Sequence, residues 1–348
     1  MPKKFKTEVL IIGGGLAGSS AAHELAKKGV DVTIVDSRKT IGIPVQCAEF
    51  IPKQLMQKKF ENYFKDSVIQ EIESMLTIEP DNKKVYSDSK GVMVDRRIFD
   101  ANIFQEAIKS GAKAFLKTIF IGFYDKNTAI LKAKDDIYYV EFDYLIGADG
   151  PRSMVMEKVF SKKHELAVCA QKRCKLKEPL KDIVVVFREY IKGGYGWIFP
   201  KDNYANVGIG IDTAFRDNPK DVLELFIKDA VSMGFIENVC QENSGGFLPL
   251  DGIDSLVNSN IALCGDAGGF CHPITGGGIP QAVVSGNMLA QYLLENDLES
   301  FEEESKEIYG IANEKAYKKR KKYMKEWNNI KYILPYIWVA YEDYWKNV

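Results

Sequence analysis

Several residues in this chain have the types and spacing of a site that holds a phosphate-bearing cofactor and moves protons beside it. Gly13, Gly15 and Gly18 form a G-x-G-x-x-G run directly after the apolar residues Val9 to Ile12. In such a run the first glycine permits a tight turn, the second lets backbone approach a pyrophosphate, and the third allows close helix–strand packing. The helix that follows, read as Ser19 to Lys28, offers unpaired N–H groups at its amino end, where a diphosphate is held without a side-chain cation, and Leu16 and Ala17 in the turn before it are candidate cofactor-binding positions. Asp36 closes the next apolar run, about 20 residues on, where a carboxylate accepts both hydroxyls of an adenosine ribose and disfavours a 2′-phosphate. Ser37 and Arg38 continue its loop. The motif alone leaves FAD and NAD both open.

Two later stretches carry the same kind of chemistry. Gly147 to Val155 reads GADGPRSMV after an apolar strand, a turn in which Asp149 fixes either a neighbouring segment or a ribose. Ile261 to Gly278, IALCGDAGGFCHPITGGG, places Gly265 and Asp266 after a short strand and opens a helix at Ile279 with Gly276, Gly277 and Gly278. So permissive a backbone suits close approach by a flat ligand, with a helix dipole aimed at it. His272 lies inside this loop, with a proton role and a packing role both open. Cys47, in the breaker-rich loop from Arg38 to Phe50, is either a reactive thiol or a small buried hydrophobe. Arg96 and Arg97 open a helix spanning Asp95 to Gly111, where the dipole disfavours cations, so one of them either answers a phosphate or is simply solvated.

The elements that must position these residues follow from the patterning. Val9 to Asp36 predicts strand, helix and strand. Residues 53 to 75 read as an amphipathic helix and Leu76 to Val94 as a hairpin. In the Asp95 helix, Ile98, Phe99, Ile103, Phe104, Ala107 and Ile108 form the predicted buried side. Residues 165 to 250 change character, with strands at Asp182 to Phe187 and Ala205 to Asp212, a helix near Pro219 to Met233, and the aromatic run GGYGWIFPK from Gly193 to Lys201. The last fifty residues read as a charged helix and then NIKYILPYIWVAYEDYW, which closes a greasy pocket, touches a bilayer or packs on the domain. A chain of 348 residues, 46% hydrophobic, buries a substantial core, and a net charge of −1 gives no global pull toward nucleic acid. Its six cysteines show no C-x-x-C pair or regular framework, no metal-ligating cluster stands out, and no signal peptide or membrane-length apolar run is visible. The expectation is a cytoplasmic protein, with membrane association at the inner face left as a peripheral contact.

Taken together and in this order, Gly13 to Asp36, Asp149-Gly150 and Gly265-Asp266 resemble the flavoprotein group that includes para-hydroxybenzoate hydroxylase. Within that group the chain from about Glu8 to about Leu294 most resembles the geranylgeranyl reductase family. The likeness rests on Arg38, Gly42, Pro44, Val45, Cys47 and Glu49; on Asp95-Arg96 with Phe99-Asp100; on Tyr195, Trp197, Phe199 and Pro200 followed by Ala205 to Gly208; and on Pro273 with Thr275 to Ile279. It departs from the family pattern at Lys192, where a proline is usual, and at Ala48, where a glycine is usual.

The resemblance implies an α/β fold, with a Rossmann-like FAD-binding domain, an inserted antiparallel-sheet substrate domain and a C-terminal helical segment. The corresponding ranges are 1–75, 95–160 and 251–297 for the first, 76–94 and 161–250 for the second, and 298–348 for the third. It implies FAD, with Gly13, Gly15 and Gly18 on the diphosphate, Asp36 on the ribose, Arg96 on the diphosphate side, Asp266 at the ribityl region and Gly276 to Ile279 at the isoalloxazine. Cys47 then stands near the flavin, with Cys47 or water near His272 on the proton side, and Tyr195, Trp197, Phe199 and Pro200 grip an apolar chain. The implied activity is saturation of C=C bonds in an isoprenoid lipid, with electrons from NAD(P)H or a ferredoxin-type donor. A flavin monooxygenase or halogenase, and a non-catalytic FAD-bound lipid- or partner-binding protein, are the rivals.

Overall fold

The apolar run before the glycine motif lies at the centre of a mostly parallel sheet. In the computed structural model, which describes residues 3–346, the Lys3–Ile12 strand pairs in parallel with Val32–Val35 on one side and Asp136–Gly147 on the other. Lys113–Phe115 and Ile261–Leu263 extend the parallel set outward. Strands buried on both faces need continuous apolar runs, and Val9 to Ile12 and Val32 to Val35 supply them. Helices Leu16–Ala26 and Ile279–Leu294 and the ribbon Ile119–Asp125 with Thr128–Ala133 complete one core.

All four inner parallel strands end at the same edge, after Ile12, Val35, Gly147 and Leu263. The loops that follow are therefore neighbours, although up to some 250 residues separate them in sequence. Ligands of open α/β sheets bind in the crevice beyond these carboxyl ends. Close packing at this edge explains the glycines. Gly13 has φ +107 and a Cβ there would lie 2.2 Å from the Ala148 oxygen; at Gly18 it would lie 1.9 Å from the Gly13 oxygen.

A second eight-stranded sheet runs Ile236–Pro249, Leu166–Leu176, Tyr204–Asp212, Tyr195–Lys201, Asp182–Val186, Val68–Ile78, Lys84–Val94 and Phe50–Pro52. Its pairings are antiparallel except that of Val68–Ile78 with Asp182–Val186. Strand alternation sends Val184, Val186, Ile198 and Val207 to one face, packed on the Pro219–Ser232 helix. Ile183, Val185, Trp197 and Phe199 go to the other, where the C-terminal helix Ile330–Ile337 covers them.

Three expectations differ from the structure. Residues 53 to 75 are not one helix: short turns at Lys53–Leu55, Lys58–Phe60 and Glu61–Phe64 lead into the Val68–Ile78 strand. Bulges between Val68 and Gln70 and between Ile72 and Ser74 break the period of two, which hides this strand from pattern reading. Ile98 faces solvent and Ile108 is half-buried, while Asp100 takes an inward position by pairing with Arg96. Cys174 and Cys240 are joined in a disulfide, because the register places them opposite each other on adjacent strands despite a separation of 66 residues. The C-terminal tail packs on the domain, one of the three readings open to it: its apolar side is covered by the second sheet.

Candidate functional site

Where the parallel edge of the first sheet meets the edge of the second, the chain encloses one cavity of about 1390 Å³. Pockets for a single drug-sized ligand run roughly 300–1,000 Å³, so this one has room for a dinucleotide and a second molecule. Its wall brings together Gly13, Gly15, Leu16, Ala17, Asp36, Ser37, Arg38, Cys47, Arg96, Asp149, Asp266, Gly276, Gly278 and Ile279. Gly18, Gly265 and Gly277 stand behind that wall and shape the turns.

At one end the Leu16–Ala26 helix begins at Gly15 with no side-chain cap and no acidic residue in its first turn. Its first N–H groups are left for an anion. A Cβ built on Gly15 would meet only the Arg38 guanidinium, at 3.8 Å, so backbone lies open to the cavity there. Asp36 stands in the predicted place with its carboxylate already engaged. Oδ2 accepts from Gly14 N at 2.8 Å and Oδ1 from Arg38 N at 2.8 Å, and the Arg38 side chain donates to both oxygens. Burial would push this carboxyl up, but the Arg38 and Gly14 donors outweigh it and hold it below its ordinary value. A ribose hydroxyl reaches Asp36 only by displacing the guanidinium.

Behind the cavity wall at Cys47 and Arg96 lies Glu49, a buried carboxylate at the end of the Cys47 loop. Its Oε1 accepts from Arg96 N at 2.9 Å, and its Oε2 accepts from Lys201 Nζ at 2.6 Å and Asn206 Nδ2 at 2.7 Å. One side chain thus ties the loop to the Arg96–Lys109 helix and to two strands of the second sheet. Cys47 Sγ accepts from Glu49 N at 3.2 Å, and the Cys47 carbonyl accepts from Gln171 Nε2 at 2.9 Å. Burial pushes the Cys47 thiol up, against the pull of the Arg96 guanidinium. Cys47 therefore holds its proton near neutral pH. Arg96, half-buried, is paired with Asp100, whereas Arg97 turns outward to its helix-capping neighbour Asp95.

Asp266 faces the cavity and makes no side-chain hydrogen bond among the described residues. Burial pushes its carboxyl up to about 6, while His164 and Arg96 pull it down. An unpartnered carboxylate beside the uncapped amino end of the Ile279–Leu294 helix fits a cofactor bearing hydroxyl and anionic groups. Asp149 is used differently: its oxygens accept from Ser153 Oγ and from Met154 N, so it fixes its own turn.

Five more predicted residues, besides Gly18, Gly265 and Gly277, do not line this cavity. His272 Nδ1 accepts from Ile274 N at 3.3 Å and Thr275 N at 3.2 Å, and Nε2 meets the Tyr344 hydroxyl at 3.3 Å. Burial lowers it to about 4, so it is a neutral ring that shapes the loop. Tyr195 donates to the Thr275 carbonyl and stacks near Trp338, with ring centroids 5.2 Å apart. Trp197, Phe199 and Pro200 are buried in the sheet, and only about 20 Å³ is open between Tyr195 and the C-terminal residues Trp327, Ile337 and Trp338. Gln171 was missed by sequence reasoning. It bridges Cys47, Ser244 and Trp197 from mid-strand, where one polar residue between two cysteines gives no motif.

Two family models match the chain: an NAD(P)-binding Rossmann-like domain at residues 11–66 and a geranylgeranyl reductase catalytic domain at residues 166–246. The digeranylgeranylglycerophospholipid reductase of Methanocaldococcus jannaschii is 32% identical over 333 residues, spanning 89% of this chain and 83% of that protein. The chain belongs to the geranylgeranyl reductase family. The corresponding reductase of Methanocella arvoryzae is 30% identical across 90% of this chain and 86% of that protein. Among solved structures, a geranylgeranyl bacteriochlorophyll reductase-like protein from Thermoplasma acidophilum superposes with a TM-score of 0.81 at 23% identity, covering 93% of this chain and 88% of that one. The flavin-dependent brominase Bmp2 shares the same fold, with a TM-score of 0.75 at 17% identity, covering 94% and 89%.

Two outcomes follow from this geometry. Glu49→Gln leaves Lys201 buried without its counter-charge and is expected to cost about 3 kcal/mol in denaturant unfolding at pH 7; an unchanged midpoint would contradict the linking role. Because the folded-state pKa of Asp266 is raised, the folded protein binds the extra proton, and apoprotein stability falls as pH rises from about 4 through about 6. Asp266→Asn is expected to flatten that slope, adding roughly 1–2 kcal/mol at pH 8 after discounting for partial exposure, while weakening cofactor retention.

Proposed function

We propose that the chain is an FAD-dependent reductase that saturates C=C bonds of an isoprenoid lipid chain. The observation that carries this is the single cavity in which a dinucleotide cradle, the Asp266 turn and the Cys47–Arg96 pair face one space larger than a dinucleotide needs. Bound FAD supplies the hydride for such a reduction. Gly13 and Gly15 with the following helix start hold its diphosphate end, Asp36 and Arg38 its ribose, and Gly276 to Ile279 the flat ring.

The remaining sector, walled by Cys169, Ala170, Gly246 and Leu248, receives the alkene. Its apolar lining excludes water beside the reacting carbons. Cys47 Sγ–H is the proton donor: the thiol keeps its proton until it is needed, and Arg96 stabilises the thiolate left behind. Solvent returns the proton. Trp197 and Phe199 form the wall behind this sector, and Tyr195 anchors the 272–278 loop to it. Electrons reach the flavin from an NAD(P)H or ferredoxin-type donor.

The substrate's partition into lipid suggests the face that meets a membrane. No helix of the described residues is long and apolar enough to cross one. Tyr332, Tyr336 and Trp345 point outward, Tyr336 stacks on Tyr323, and Lys322 lies over that ring. Together with exposed Lys325 these supply aromatic and basic groups of the kind that suit the headgroup level of an anionic bilayer.

Reduced anaerobically and mixed with a geranylgeranyl lipid, the flavin is expected to reoxidise without oxygen and give a product heavier by two hydrogens per double bond. Reoxidation only by oxygen would overturn the reductase reading in favour of a monooxygenase. Cys47→Ser is expected to retain FAD and lose about 10²-fold in the rate of this step; an unchanged rate would remove Cys47 from the proton path. For the membrane face, Tyr332→Ser combined with Trp345→Ser should reduce cosedimentation with phosphatidylglycerol vesicles several-fold, and equal sedimentation would assign the contact elsewhere.

A further inference from the structure

His164 is fully buried at the start of the Leu166–Leu176 strand, beneath the turn that carries Asp266 into the cavity. Its Nδ1 lies 2.7 Å from Asp251 Oδ1 and its Nε2 lies 3.1 Å from the Ala267 carbonyl oxygen. A carbonyl oxygen only accepts, and Asp251 already accepts Glu165 N through its other oxygen. With an acceptor at each ring nitrogen, both nitrogens must donate, which only the imidazolium does. The other ring at this end of the molecule, His272, has the opposite pattern and accepts backbone N–H groups at Nδ1.

The turn held by His164 has little freedom. Gly269 has φ +76, and a Cβ there would lie 2.1 Å from the Gly252 oxygen and 3.3 Å from the His164 ring. Gly265 N donates to Ser285 Oγ at 3.0 Å, and Asn313 Nδ2 donates to the Gly269 carbonyl at 3.3 Å. We propose that His164 is a positioning residue for the cofactor: as an imidazolium bonded to Asp251 and the Ala267 carbonyl, it fixes the Gly265–Gly269 turn that presents Asp266 to a cofactor hydroxyl. This rests on the FAD reading above and adds to it a residue that touches no cofactor.

The charges around His164 support the role. Asp251 faces Nδ1 and Asp266 lies beyond Ala267, while Glu165 on its own strand turns outward to Tyr317 and Lys321. Lys162 and Lys163 are engaged outside with Asp254 and Glu157, and the Ile311–Tyr323 helix contributes the neutral Asn313. Burial would lower His164, but Asp251, the Ala267 carbonyl and Asp266 outweigh it and raise it. When the ring loses its proton, the hydrogen stays toward Asp251, and Nε2 then opposes the Ala267 carbonyl with a lone pair. The turn loosens as pH rises through that point.

The test reads cofactor affinity and ring protonation, not turnover. In nitrogen-15 histidine spectra of the flavin-free protein at pH 7, His164 is expected to show both ring nitrogens protonated. Titrated with FAD by fluorescence, the wild type is expected to lose affinity at high pH, and His164→Gln should raise Kd about tenfold or more and lack that loss. A single-tautomer neutral ring, or a variant with wild-type Kd and pH profile, would overturn the proposal. If His164→Gln does not fold, Asp251→Asn should move the wild-type pH transition downward, and an unmoved transition would count against it equally. A wild type that takes up no FAD at any pH while showing the doubly protonated ring would instead bring down the FAD reading, and the cofactor role of His164 with it.

Discussion

A buried carboxylate with three donors around it sets the shape of this molecule's working end. Glu49 joins the Cys47 loop to Arg96 on the first domain and to Lys201 and Asn206 on the second sheet. A charge removed from water is tolerated only where its hydrogen-bonding capacity is met, so the three segments must arrive together or not at all. Cys47 and Arg96, which line the cavity, are held in place from behind by this junction. Cys47 inherits its place from this arrangement, since its sulfur accepts the Glu49 N–H and its carbonyl is held by Gln171.

Electrostatics at the two ends of the cavity run in opposite senses. At the nucleotide end, Asp36 is saturated by Arg38 and backbone donors, a pair that a ligand must rearrange. At the other end, Asp266 is left without a side-chain partner among the described residues, its carboxyl pushed up to about 6 by burial against the pull of His164 and Arg96. Functional sites concentrate such uncompensated groups because a ligand supplies what the protein withholds. The cost falls on the stability of the empty protein.

The aromatic residues between the second sheet and the C-terminal tail pack against one another. Tyr195 and Trp338 sit against each other, Trp338 donates to Thr77 at 2.9 Å, and the Ile330–Ile337 helix fills the remaining apolar face. Lys319 is buried beneath this tail and donates to the carbonyls of Tyr336 and Tyr344. The tail is thereby a structural wall whose inner side is apolar and whose outer side is aromatic and basic.

The amino-acid sequence by itself determined the nucleotide cradle, because glycine spacing, an uncapped helix start and a strand-end acid are local features that need no distant partner. It also determined the two-sheet α/β organisation, wherever alternation or apolar runs were unbroken. It could not show the Val68–Ile78 strand, whose bulges disturb the period, nor the Cys174–Cys240 pairing, which register alone creates. Glu49 and Asn206 stood in recognisable stretches, yet their meeting around Lys201 has no signature in one dimension. His164 and Asp251 are 87 residues apart and acquire a role only when a strand start and a turn pack together. Tertiary structure decided these because charge burial and hydrogen-bond satisfaction depend on which groups meet in space, and composition and spacing do not record that.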